Sequence, residues 1–119
     1  MDPHFDGVIF QTHAEELRRR LRYPHPPFRV LDVRDLADHA RGHIPSAVLA
    51  GPEIAALPPG TTPHTELIVV GAGPDDARVR ATSLALRRLG AHRVVEMVGG
   101  MHEWGLLGMP TERAAPAAA

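Results

Sequence analysis

Two adjacent carboxylates, Asp75 and Asp76, follow the turn Gly71-Ala72-Gly73-Pro74 and lead through Ala77 to Arg78 and Arg80. Loop carboxylates can serve as nucleophiles or general bases, and arginines beside them can hold a carboxylate, sulfate or phosphate in a fork. His39 and His102 are titratable groups that other loops could bring to the same mouth. The catalytic candidates are therefore Asp75, Asp76 and His39. What the chain cannot do is equally definite. It has no cysteine among its 119 residues, so thiolate nucleophiles, disulfides and thiolate metal ligands are all absent. Ser46 and Ser83 are poor substitutes, one in the turn after Pro45 and the other inside a predicted helix.

Each of these residues also has a plainer role. A loop just before a helix presents free backbone amides that could receive an anion. Carboxylates in the first helical turn satisfy those same amides and repel a second anion, so a capped, closed loop is favoured over an open pocket. Arg78 and Arg80 then pair with neighbouring carboxylates or face solvent, with Arg78 the better candidate for a ligand. Asp32 and Arg34, at i and i+2 on a strand end, leave on the same side and suit a fixed clamp. Eight histidines invite a metal site, above all near Asp38, His39 and His43. Gly42 interrupts the helix between His39 and His43, so the i, i+4 face of a histidine metal motif is not secured. No metal and no other cofactor is expected.

The elements that must position these groups follow from pattern. Thr12 and Glu15 form a capping box, and Leu17 and Leu21 recur at helical spacing, which predicts a helix over 12–22. The prolines of Tyr23-Pro24-His25-Pro26-Pro27 end it. Phe28 to Val33 reads as a buried strand and Asp35 to Arg41 as a short helix stopped by Gly42. A weak strand over 47–50, one helical turn over 52–57 and a loop over 58–65 follow. Glu66 to Val70 is the clearest strand, a branched apolar run suited to a sheet covered on both faces. Asp75 or Asp76 caps a helix that runs to Leu89, turns Val79, Leu86 and Leu89 inward and stops at Gly90. Arg93 to Val98 is the last main strand, and Met101 to Leu107 a final helix. Strands alternating with helices predict a parallel sheet with right-handed crossovers, whose ligands meet the carboxyl ends of the strands. Asp32 and Arg34, the loop 71–78 and the segment 99–104 should converge on that one edge.

Two stretches carry a resemblance. Leu31 to Ala47 reads LDVRDLADHARGHIPSA, and Leu67 to Pro110 runs from a strand through a loop and a helix ending in Leu89-Gly90 to Gly99-Gly100-x-x-x-Trp104. In order and separation they resemble rhodanese-like domains, with Ser46 where the family usually has glycine and His39 where it often has an aromatic residue. The resemblance implies an α/β fold, with a central parallel sheet of about five strands flanked by helices on both faces. It makes Gly71, Ala72, Gly73, Pro74, Asp75, Asp76, Ala77 and Arg78 the former active-site loop. The lost nucleophile falls at Gly71, or at Ala72 if the loop is one residue shorter. Asp32, Arg34, His43, Met101 and Trp104 become pocket-supporting residues, His43 as a turn residue bonded to backbone and Trp104 by core or rim packing.

Composition bounds the partners. Thirteen cations, all arginine, against 14 anions give a net charge of −1, which argues against nucleic-acid and membrane roles that need a one-signed field. No apolar run approaches the roughly 20 residues that cross a bilayer, and the start MDPHFDGVIF lacks the blocks of a signal peptide, so the expected compartment is the cytoplasm. The length suits a single domain, taken as residues 1–112 with a flexible tail over 113–119. The expected function is a catalytically degenerate, cysteine-free domain that binds or regulates, with a protein or a small anionic ligand as partner. The alternative is an enzyme that reuses the pocket for Asp, His and Arg acid-base chemistry.

Overall fold

A computed structural model describes residues 8–23 and 26–114. Met1 to Gly7, Pro24, His25 and Ala115 to Ala119 lie outside the described residues, and with them His4, the centre of the proline break and most of the predicted tail. The elements are β1 (Phe10–Thr12), α1 (Ala14–Arg22), β2 (Phe28–Asp32), α2 (Leu36–Arg41), β3 (Val48–Leu49), β4 (Glu66–Val70), α3 (Ala77–Arg88), β5 (Arg93–Met97) and α4 (Gly100–Leu106). The five strands form one all-parallel sheet in the order β1-β5-β4-β2-β3.

Alternation along the strands divides the core into two layers, because successive side chains leave opposite faces of a pleated strand. Val30, Ile68, Val70, Val95 and Met97 pack with Ala14 and Leu17 of α1 and Trp104 of α4 on one face. Leu31, Leu67, Val69 and Val94 pack with Leu86 of α3 on the other. Helices thus cover both faces of the sheet, as the continuous apolar character of Leu67 to Val70 requires. Among the described residues no helix is long and apolar enough to cross a membrane.

Two local expectations are corrected. Thr12 is not a helix cap: it pairs with Met97 in β1, and its carbonyl accepts from Val98 N at 2.9 Å. His13 takes the cap position of α1 without a side-chain bond. Sheet pairing outweighed a capping box worth about 1 kcal/mol. The segment 52–57 holds only a tight turn, closed by Ile54 N donating to Gly51 O at 3.1 Å, and no helical turn. At the other end, His43 and Glu112 exchange backbone bonds of 2.9 and 2.8 Å, and Ala114 N donates to Ala40 O, so the chain stays tied to α2 as far as Ala114.

Candidate active-site loop

Asp32 ends β2 opposite Val70, the last residue of β4, so the segments that follow the two strands emerge side by side. Val33 N donates to Val70 O at 3.0 Å and holds them together. Segments 33–35, 71–76 and 98–100 therefore share the carboxyl edge of the sheet, where a parallel α/β fold gathers ligands.

The buried Asp32 carboxylate organises the first cluster. Oδ1 accepts from Arg34 N at 3.1 Å and Arg34 Nε at 3.0 Å; Oδ2 accepts from Arg34 Nη2 at 2.9 Å and faces His39 Nδ1 at 2.8 Å. Arg34 Nη2 also donates to Gly42 O at 2.6 Å, tying the end of β2 to the turn after α2. Burial pushes the Asp32 carboxyl up, but the bonds from Arg34 and His39 outweigh it and hold the group below its ordinary value. The His39 and His43 rings stack with centroids 3.9 Å apart and planes within 6°. His43 Nδ1 donates to His39 O at 2.8 Å. Because a carbonyl only accepts, this bond fixes the proton on Nδ1. Asp38 turns to Arg41 instead, and among the described residues no group of three or more His, Asp or Glu side chains could hold a metal ion.

Asp76 organises the loop itself. It is the N-cap of α3, and its Oδ1 accepts from Arg78 N at 3.1 Å and Arg78 Nε at 2.9 Å. Its Oδ2 accepts from Arg78 Nη2 and from Ala72 N, both at 2.8 Å. The Arg78 fork beside Asp76 lowers its carboxyl to about 2, against a partial opposing effect of burial. Gly71 is buried beneath this carboxylate. A Cβ there would lie 2.6 Å from Val79 Cγ2 and 2.7 Å from Asp76 Oδ2, closer than real Cβ contacts allow. From the other side Met101 N donates to Gly71 O and His102 N to Ala72 O, both at 2.9 Å. That approach is possible only because residue 100 is glycine: a Cβ there would sit 2.6 Å from Gly71 O.

Of the two adjacent carboxylates, then, Asp76 caps and Asp75 is exposed. No hydrogen bond or ion pair joins either to His39 among the described residues. Arg78 is drawn to Asp35 and Asp38 of the α2 segment as well as to Asp76. Arg80 leaves the loop and forks onto Glu96, with Nε at 2.8 Å from Oε2 and Nη2 at 2.9 Å from Oε1. Trp104 is fully buried in the core and donates Nε1–H to Pro110 O at 2.9 Å, while Met101 packs against the same layer. His102 is exposed, with its Cβ 3.9 Å from the Cβ position of Gly73.

Two residues of this region were not foreseen. Glu96 is a buried carboxylate near the end of β5, and the Arg80 fork holds it below its ordinary value despite burial. A glutamate inside the apolar run Val94 to Met97 of a doubly covered sheet needs a partner, which is the signal that could have found it. Glu112 Oε2 accepts from Ser46 N at 3.2 Å and lies 3.9 Å from His43 Nε2. Ser46 itself has φ 68°, the left-handed backbone that favours glycine.

The sequence profile described as rhodanese-like domain matches residues 13–106. Among solved structures, the BH2092 protein of Bacillus halodurans is similar with a TM-score of 0.79 at 22% identity, over 92% of this chain and 85% of that one. The rhodanese-like domain of the Alr3790 protein of Anabaena sp. is 32% identical, with a TM-score of 0.72 over 92% of this chain and 86% of that one. A thiosulfate sulfurtransferase from Pseudomonas aeruginosa is 27% identical, with a TM-score of 0.73 over 88% of this chain and 19% of that one. No curated protein sequence matches. The parallel sheet, the loop after its central strand and the profile match over most of the length agree: the chain belongs to the rhodanese-like domain family, as a member with no cysteine.

Proposed function

We propose that this domain is catalytically silent and works as a binding module for a protein. The observation that carries the reading is the Asp76 carboxylate, which takes up Ala72 N and the Arg78 fork in a chain that supplies no thiol. The activity in the name of the Pseudomonas neighbour is not carried over, since sulfur transfer through a persulfide requires a thiolate. A small anion at the loop would compete with a carboxylate already held by four hydrogen bonds, which favours a protein partner over a small anionic ligand.

The test has two arms. Purified protein should form no thiocyanate from thiosulfate and cyanide above a boiled control. Calorimetric titration with sulfate, phosphate and thiosulfate should give no saturable heat. Enzyme-dependent thiocyanate, or anion binding that Arg78→Ala abolishes, would overturn the reading.

One contact favours the alternative of acid-base catalysis. Asp32 holds His39 Nδ1 at 2.8 Å, an arrangement that fixes an imidazole for proton transfer through its other nitrogen. A turnover found in a substrate screen and lost in His39→Gln at unchanged stability would establish it.

A further inference from the structure

The side chains of Arg29 and Leu31 leave the same face of the sheet, because residues two apart on a strand do so. β4 runs along one side of β2, with Leu67 opposite Arg29. On the other side β3 begins only opposite Leu31 and holds two residues, so among the described residues Arg29 has no strand neighbour there. A turn stands beside it instead, in which Thr61 N and Thr61 Oγ1 both donate to Pro58 O, at 3.1 and 2.5 Å.

This arrangement leaves a hollow of about 430 Å³ walled by Leu31, Val48, Ala50, Ile54, Pro58 and Pro59, with the exposed Arg29 at its border. A second hollow, of about 340 Å³, lies beyond Arg29 beside Phe28, Ser46, Gly60 and Thr65. Arg29 lines both, and its Nη2 is 3.5 Å from the Cβ position of Gly60. The walls of the first are preformed, since Ile54 and Ala50 pack against the Leu31 core layer and the two prolines fix their own backbone. Its size and apolar lining suit a small molecule, because ligand clefts run to about 300–1,000 Å³ and carry few polar groups.

Charge selects the ligand. Among the described residues Arg29 is the one charged side chain that lines either hollow, and it forms no hydrogen bond or ion pair. Carboxylates of the neighbouring segments do not pair with it. Glu66 of β4 is held by Arg20 and Arg93, and Asp35 caps α2. The exposed Glu53 lines a different hollow, with Arg78 and Asp35, on the far side of Leu49 and Ala50. One planar guanidinium matches one carboxylate in a two-bond fork. No second cation is there to hold a dianion, and the rest of the wall receives only apolar surface. β3, at two residues, is too short an edge to recruit a strand from another protein or from a second copy.

We propose that the hollow beside Arg29 is a binding site for a small amphipathic carboxylate, its carboxylate forked by Arg29 and its apolar body lying on Leu31, Val48, Ile54 and the two prolines. The site shares no residue with the loop 71–78. It does not rest on the protein-binding reading above, so either can fail without the other. Burial of the apolar body supplies the affinity, and Arg29 supplies the choice of charge.

The experiment is an NMR titration of the isotope-labelled full chain with octanoate, octylammonium and acetate, following the backbone amide shifts. Octanoate should bind with a Kd at least tenfold lower than the other two, and its shifts should centre on Leu31, Val48 and Ile54. Arg29→Gln should weaken octanoate tenfold or more with an unchanged thermal melt, and Arg29→Lys should recover part of that loss. Val48→Trp, which fills the hollow, should abolish binding, while Arg22→Gln at the end of α1 should leave it intact. Because Arg29 and Val48 are both exposed, these variants should keep the wild-type spectrum elsewhere. Equal affinity for octanoate and octylammonium, no saturable shift with octanoate, or shifts confined to residues outside the hollow would overturn the proposal. A peptide with a free C-terminal leucine that binds tenfold more tightly than octanoate would make a protein terminus the occupant. A concentration-dependent dimer in sedimentation that Arg29→Gln or Val48→Trp abolishes would make it a second copy. Either result would refute the small-molecule site.

Discussion

The Asp76 carboxylate occupies the space that a side chain on Gly71 would need, with Oδ2 2.7 Å from the Cβ position of residue 71. Val79 Cγ2 lies 2.6 Å from the same point, so position 71 is coupled to both: a larger residue there requires smaller ones at 76 and 79. Gly71→Cys alone should be destabilised and its thiol slow to alkylate. Gly71→Cys combined with Asp76→Gly and Val79→Ala should give a thiol facing the vacated Ala72 amide, reacting with iodoacetamide at neutral pH faster than free cysteine. Equal reactivity in the single and triple variants would show that Asp76 and Val79 do not fill that space.

Asp76 should also write itself into the acid limb of stability. Its folded pKa of about 2 lies below its ordinary 3.8, so its contribution is fully present above roughly pH 4 and is lost as pH falls toward 2. With Arg78 partly exposed, that contribution is about 1–2 kcal/mol. Denaturant titrations of wild type and Asp76→Asn should differ by this amount at pH 7 and converge near pH 2. The amide still caps but cannot accept the full arginine fork, so Asn should recover only part of what Ala loses. Asp75→Ala should fall within about 0.5 kcal/mol of wild type.

Removing Arg34 should be the costliest single change in the region. Arg34→Ala leaves the Asp32 carboxylate buried with His39 as its remaining side-chain partner, at about 3 kcal/mol by urea denaturation. Arg34→Lys should recover only a fraction, since an ammonium cannot bond Asp32 and Gly42 O with the same planar fork. A cost below about 1 kcal/mol would mean that solvent reaches Asp32 freely.

Ser46→Gly should stabilise the domain. Serine at φ 68° carries a left-handed cost that glycine does not, and the backbone bond from residue 46 N to Glu112 Oε2 needs no side chain. The expected gain is about 0.5 kcal/mol, after the greater chain entropy of glycine is set against the relieved strain. An unchanged or lowered melting temperature would contradict it.

Much of this arrangement was legible in the chain, and the exceptions have physical causes. Glu66 to Val70 announced itself because a strand covered on both faces has to be apolar throughout. β1 gave no such signal: it is three residues long at the sheet edge, with Phe10 and Gln11 exposed, so no burial pattern marks it. Gly42 was legible as a helix stop. Which neighbouring carboxylate would cap was not, because that depends on whether Arg78 folds back onto residue 76, which sequence spacing leaves open. Glu96 was missed for a similar reason, as its partner Arg80 lies 16 residues away on another element.

The strand order also bears on how the chain acquires its shape during synthesis. Among the described residues β1 pairs with β5 alone, and the bond from Val98 N to Thr12 O forms beyond the end of that pairing. A nascent chain can bring β2, β3 and β4 together early, but its first strand stays unpaired until the last one has left the ribosome. Contacts this distant in sequence slow folding and prolong the exposure of strand edges. Segment 10–12 is thus the part of the domain that waits longest, and a pause in translation before residue 93 would leave it available to a chaperone or to another nascent chain.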